Sequence, residues 1–511
     1  MAIAAAIVLG GCNVGPKYKQ PATPAPPAYK ESAPAAYSSA LPGTWKPASP
    51  QDAVLKGKWW EMFNEPELNA LEEQLNINNQ NIAQYFQNFM AARAQVREVR
   101  SSYFPTVTVT PAVSRSRSGG GLGEGGNAAT TSTGTNGTSA AATPSTTAIT
   151  YSSFSLPFDV SWEPDLWGRV HNTVREYQYA AQVSAADLEN ERLTEQADLA
   201  VYYFELRGQD ALQDLYNQTI TADRQALDLT RALYETGIDS EEDVAQAAVT
   251  LDDAEEAATG IATDRAIYEH AIATLIGKPA SSFSMPVKNL STPLPQIPVG
   301  VPSQLLERRP DIAAAERTMA EANAVIGIAR AAYFPTLSLT GGGGLESNTL
   351  KNLFSVAALA WSLGASATET IFDAGLRSAT VAQYKATYNA DAASYRQTVL
   401  TAFQQVEDYI ATLRVTSEQI IREDTAVRAA QHYLDLAMTR YKTGLDPYLD
   451  VITAQNTLLS NQQTQVTLRV AEMTAAVELI QALGGGWSGT QLPSPSQVTE
   501  KAAVRKTRDT P

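Results

Sequence analysis

From Leu376 to Tyr441 the chain runs without a proline, and helix-forming residues dominate it. Every seventh residue from Val406 is apolar or aromatic: Val406, Leu413, Ile420, Val427, Leu434, Tyr441. The companion positions read Phe403, Ile410, Ser417, Asp424, Gln431 and Met438, so the second column turns polar through its middle. A sustained seven-residue repeat marks helices that pack by left-handed supercoiling, because it keeps one seam facing its partner. A helix of about 65 residues rises about 100 Å. It must lie against partners over most of that length.

The same pattern occurs 207 residues earlier, as Leu199, Leu206, Gln213, Ile220, Leu227 and Tyr234, with only Gln213 out of line. Arg207/Arg414, Gly237/Gly444, Asp243/Asp450 and Gly277/Gly484 keep that offset. The turns match as well: Tyr234-Glu-Thr-Gly-Ile-Asp precedes one return helix and Tyr441-Lys-Thr-Gly-Leu-Asp the other. The chain therefore reads as two copies of one unit, and its 511 residues as one architecture.

A formal charge of −16 argues against a nucleic-acid partner, and no basic patch with interleaved aromatics is present. Asp239, Glu241, Glu242, Asp243, Asp252, Asp253, Glu255 and Glu256 fall together without a lysine or arginine. That run is either a solvated helix face or a cation-attracting surface. Cys12 is the only cysteine, so a disulfide within the chain is excluded.

Residues 1–11 are small and apolar, too few to span a bilayer as a helix but suited to a secretory signal. The run Leu9-Gly10-Gly11-Cys12 resembles a bacterial lipobox, which implies cleavage before Cys12 and its acylation. Asn13 then points to outer-membrane sorting in that system. No basic residues precede Ala2, so the true start is expected upstream. Residues 13–57 are rich in Pro, Ala, Ser and Tyr, and 12–65 read as an extended, lipid-anchored arm.

The first repeat is expected over 66–290. A helix from near Glu67 to Ser102 opens it, followed by strands at about 106–118 and 149–162. A long helix at about 165–235 and a return helix at about 239–276 close it. The second repeat, 291–487, has strands at about 336–345 and 355–369, a long helix at 376–442 and a return helix at 447–483. Residues 488–511 read as a loose tail. The strands have two unlike faces: Phe154, Leu156, Phe158, Val160 and Trp162 alternate with Ser, Pro and Asp, and Leu359, Trp361 and Leu363 with small residues. Such strands could pack in a soluble sandwich or face lipid. The small, hydroxylated opposite faces favour lipid. The stretch Gly119 to Thr147 is Gly, Ser, Thr, Asn and Ala with almost no charge, a surface loop by composition.

No catalytic, cofactor or metal constellation is present. His171, His270 and His432 lie inside expected helices without a second ligand at metal spacing, and hydrolase and metalloprotease signatures are missing. Gly121, Gly123 and Gly126 match a dinucleotide fingerprint only by composition. The physics of the sheet is more telling. Four lipid-compatible strands leave two open edges, which a bilayer does not tolerate. Two chains would close eight strands around an interior filled by side chains, and three would close a twelve-stranded barrel with a lumen. Asp424, Gln431, Asp210 and Asn217 would then meet water in a tube.

The lipobox, Gly15-Pro-Lys-Tyr18, two Tyr-Phe-Pro-Thr sites (Tyr103, Tyr333), Leu305-Leu-Glu-Arg-Arg-Pro-Asp-Ile312 and Arg440-Tyr-Lys-Thr-Gly444 with Leu449-Asp-Val451 together resemble the outer membrane factor family of tripartite efflux pumps. Nearly the whole chain is covered, and the lipoprotein branch of TolC/OprM/NodT-like channels is nearest. The resemblance implies a mixed fold, a homotrimer with a membrane β-barrel and a long α-helical tunnel in the periplasm. It implies outer-membrane lipid around the barrel, a periplasmic adaptor, and an inner-membrane pump of the resistance-nodulation-division type.

It also implies a periplasmic gate at the hairpin turns. The family's turn glycines match Gly237 and Gly444, its gate aspartate Asp450, and its tyrosine–aspartate latch Tyr441 and Asp243. Thr453 stands where some relatives carry a second gate aspartate, and Asp446 where some carry a latch arginine. Tyr234, Leu445 and the two turn glycines are the expected adaptor-docking positions. A secretion exit duct and a non-conducting coiled-coil lipoprotein of the envelope are the alternatives.

Overall fold

The computed structural model describes residues 13–22, 26, 29–31, 57–118, 149–290, 293–295, 297 and 305–500. Cys12 and the glycine-rich stretch 119–147 lie outside them. Among these, two compact units are formed, one from 13–16, 98–174 and 325–383 and one from 17–97, 175–324 and 384–500. Helices α1 (Pro66–Asn78) and α2 (Gln80–Arg100) come first. The pattern had suggested one helix here. It breaks because Asn79 is extended and its Oδ1 accepts the Ile82 amide at 2.9 Å, capping α2, while its Nδ2 donates to the Leu275 carbonyl.

Strands β1 (Thr106–Val109), β2 (Ala112–Ser118) and β3 (Ile149–Trp162) follow, then α3 (Arg169–Glu235) and α4 (Glu241–Leu275). Helix α5 (Pro310–Ala331) leads into β4 (Thr336–Ser347) and β5 (Leu359–Thr368), and α6 (Leu376–Lys442) and α7 (Tyr448–Ala482) follow. The expected loose tail is corrected in part: it carries a short capped helix, α8 (Pro495–Thr499), whose Val498 is buried with Val96 and Ala181. Helices α3 and α6 have 67 residues each, and α4 and α7 have 35 each. Helix α3 starts four residues after Asp165, whose carboxylate instead accepts the His171 amide at 2.7 Å.

The sheet is antiparallel. β1 and β2 both pair along one edge of β3 in a single unbroken register, so they act as one strand interrupted at Pro111, which lacks an N–H. β3 pairs β4, and β4 pairs β5. Cross-strand partners share a face. Val109, Phe158, Gly343 and Trp361 form one row, and Val107, Val160, Gly341 and Leu363 the next. The opposite face carries Thr108, Asp159, Gly342 and Ser362. The apolar face is uncovered: Val107, Trp361 and Leu363 are 62, 74 and 82% exposed. The row ends at Arg115, opposite Ser152.

In the helical unit, one core gathers Trp59, Phe63, Leu68, Leu75, Leu199, Tyr203, Phe204, Leu206, Tyr395, Val406, Leu413, Val477 and Ile480. A second, smaller core holds Leu227, Tyr441, Tyr448, Val451 and Ile452. The apolar heptad columns are thus buried at Leu199, Leu206, Val406 and Leu413, half-buried at Gln213, Ile220, Ile420, Val427 and Leu434, and buried again at Leu227 and Tyr441, while Tyr234 is exposed. One sequence expectation is corrected. Asp210 does not face water: it is buried, accepting from Arg207 at 2.8 Å, Arg265 at 2.7 Å and the Lys288 amide at 3.0 Å. Arg207 also meets Glu67 at 2.7 Å, so this network ties α1, α3, α4 and the segment after α4 together. A buried ion pair persists only with its hydrogen bonds filled, and here they converge on one carboxylate. The described parts of the N-terminal arm are held by specific contacts: Tyr18 donates to Glu316 at 2.5 Å, and Glu31 pairs with Arg414 at 2.9 Å.

Candidate functional site

The two long helices end in the same way. After α3, Gly237 adopts φ +80°, its amide donates to Tyr234 at 2.8 Å, and the Ile238 amide reaches back to Leu233 at 2.9 Å. After α6, Gly444 adopts φ +70°, its amide donates to Tyr441 at 2.8 Å, and the Leu445 amide reaches Arg440 at 2.9 Å. This closure satisfies the last carbonyls of each helix and needs a left-handed residue, which glycine takes without a Cβ penalty. The residue after each glycine is apolar and open to solvent: Ile238 and Leu445 are both 69% exposed.

The return helices start differently. Ser240 and Asp243 form a reciprocal capping box on α4. Helix α7 starts at Pro447, which has no side-chain cap, and Asp446 is instead gripped by Arg440, with Nη2 2.7 Å from Oδ1. The Arg440 guanidinium holds the Asp446 carboxyl below its ordinary range.

The hairpins meet at Tyr441. Its phenol donates to the Asp239 carboxylate and lies 3.4 Å from the Thr230 hydroxyl, while its ring packs 5.3 Å from Tyr448. Burial first, then the hydrogen bond to Asp239, pushes the phenol well above its usual range. The phenol therefore stays a neutral donor. Tyr448 is pushed up to about 12, by burial and then by Asp223 and Asp243.

Of the residues singled out from the sequence, the fold brings together Tyr441, Gly444, Asp446 and Asp450 on one turn and Tyr234, Gly237 and Asp243 on the other. Asp243 is engaged with Ser240, and the carboxylate that reaches Tyr441 belongs to Asp239, four residues earlier. Sequence reasoning passed over Asp239 as a latch partner. The signal was there in Ser240-Glu-Glu-Asp243, a capping-box spacing that commits Asp243 to its own helix. Asp450 is half-buried in the first turn of α7, its amide bonded to Pro447, and Thr453 is exposed with its hydroxyl on the Leu449 carbonyl. Among the described residues, no group of three or more His, Cys, Asp or Glu is placed to hold a metal ion, and no helix is long and apolar enough to cross a membrane.

The model of the family described as outer membrane efflux protein matches residues 71–278 and 301–485. A relative from Pseudomonas putida, the probable efflux pump outer membrane protein TtgC, is 31% identical over 491 residues, covering 94% of each chain. The solved outer-membrane channel OprN has a TM-score of 0.80 at 28% identity, covering 93% of this chain and all of that one. The Campylobacter jejuni CmeC outer membrane channel also has a TM-score of 0.80, at 21% identity and over 95% of this chain and 97% of its own, a likeness of fold.

Proposed function

The chain belongs to the outer membrane efflux protein family, and from that premise we propose that it is the outer-membrane duct of a tripartite efflux system. Three copies close one barrel of twelve strands, each chain lending the width of four, with the apolar face toward lipid. The helices of the two structural repeats, counted at 66–290 and 291–487, supply the helical tunnel. The single observation that carries this reading is the sheet. Among the described residues its apolar face is uncovered, and β1/β2 and β5 each have a partner on one side only. In a bilayer every such edge amide must be paired, and copies of the same chain supply the pairs.

The helix hairpins form the periplasmic entrance. Tyr441 and Asp239 latch the two hairpins of one chain, and threefold symmetry turns Asp450 into a carboxylate ring that favours cations. Thr453 sits one helical turn above that ring. Arg440 and Asp446 fasten the second tip from within. Ile238, Leu445, Tyr234 and the glycine turns present the surface on which a periplasmic adaptor docks, and the adaptor brings an inner-membrane pump of the resistance-nodulation-division type. Acylation at Cys12 anchors the N-terminal arm to the outer membrane. No catalysis or cofactor enters: the duct is passive, and energy comes from the pump.

The test is conductance by the detergent-purified protein in planar bilayers, beside its mass in solution. Trimers that conduct with cation preference, the preference falling several-fold in Asp450→Ala, are the expected result. A monomer, or a trimer without conductance, would overturn the reading.

A further inference from the structure

Between α3, α4 and α7 of one chain lies a cavity of about 180 Å³ that the gate does not use. Asp223 lines it and is only 3% exposed, with Oδ2 fully buried and without a hydrogen-bond partner. The Oε1 atom of Gln455, on α7, is also buried and unpartnered in the same lining. The Thr219 and Thr250 hydroxyls donate to their own helices, at 3.0 and 3.1 Å, which leaves their lone pairs for the cavity. The Tyr216 phenol already accepts from Gln463, and Asp253 stands exposed at the mouth. No lysine, arginine or histidine is in the lining, and the adjacent Arg224 is engaged by Glu255 at 2.6 Å.

A buried carboxylate without a cation is costly, and every lining side chain named here offers oxygen. We propose that this cavity is a binding site for a hard divalent cation, with Ca²⁺ the best fit, held by Asp223 and Gln455 inside and Asp253 at the entrance. Oxygen-only ligands of mixed type suit Ca²⁺, which tolerates irregular geometry at six to eight ligands, better than Mg²⁺ or a transition metal. A water takes about 30 Å³ of liquid, so the cavity has room for the ion and part of its hydration shell. Bound there, the ion joins the long helix and both return helices of a single chain, within reach of the Tyr448 packing beneath the tips. The inference needs no trimer and no gate, so its failure leaves the proposed duct intact.

Equilibrium dialysis of the full-length detergent-purified protein against radiolabelled Ca²⁺ tests it. The expected result is one saturable ion per chain, with affinity at least tenfold weaker in Asp223→Asn and weakened in Gln455→Leu, which keeps the carboxylate should the first variant not fold. No saturable binding, one ion per three chains, or unchanged affinity in Asp223→Asn would each overturn it.

Discussion

At Tyr441 one hydroxyl separates two behaviours. The ring is buried against Tyr448 and would pack equally well as phenylalanine, but the oxygen is what reaches Asp239 on the other hairpin. A neutral donor on a carboxylate contributes about 1.5–3 kcal/mol where the pair is shielded. Tyr441→Phe and Asp239→Asn are each expected to raise single-channel conductance in planar bilayers. Their double variant should rise no further than the larger single effect, because both delete the same bond. A Tyr441→Phe channel that conducts like the parent would remove the latch. Asp243→Asn probes a different event: it weakens a cap on α4, which hydrogen exchange at residues 240–244 would report as faster opening.

At the scale of the helices, charge inside the bundle sets a pH response. Glu321 of α5 is pushed up to about 7, by burial first and then by Glu176 of α3 and Asp391 of α6. Its folded value lies above the ordinary one, so the folded chain binds more protons than the unfolded chain between those two values. Stability carried by the protonated form is full below about pH 4.5 and is lost as pH rises through about 7. Glu321→Gln is therefore expected to raise the thermal midpoint at pH 8, by the equivalent of about 1–2 kcal/mol after solvent screening, and to change little at pH 4. Thermal scans of both proteins across that range check it, and equal midpoints at pH 8 would refute it.

For the whole molecule, the unlike faces of the sheet assign opposite outcomes to neighbouring residues. Trp361 and Ser362 are adjacent on β5 and point to opposite faces. A lysine on a lipid-facing strand costs about 2–4 kcal/mol at the bilayer midplane. Trp361→Lys should abolish recovery of trimers from the outer membrane, whereas Ser362→Lys should assemble and alter conductance. Assembly of both, scored by trimer yield on native gels, would mean that the apolar face does not meet lipid.

Periodicity alone was enough to show two long helices, two returns and two-faced strands, because a seven-residue seam and a two-residue alternation are local patterns that burial enforces at every step. It also placed the glycine turns, since only glycine takes that left-handed bend cheaply. Which carboxylate meets Tyr441, and that Asp210 is buried rather than wetted, were decided only by packing. Asp239 and Asp243 lie within a turn of each other, and Asp210 occupies a column that reads as polar; the choice depends on where Arg207, Arg265 and Tyr441 arrive from elements far away in the chain. Contacts between distant segments leave no period in the sequence, and that is why they had to be seen in three dimensions.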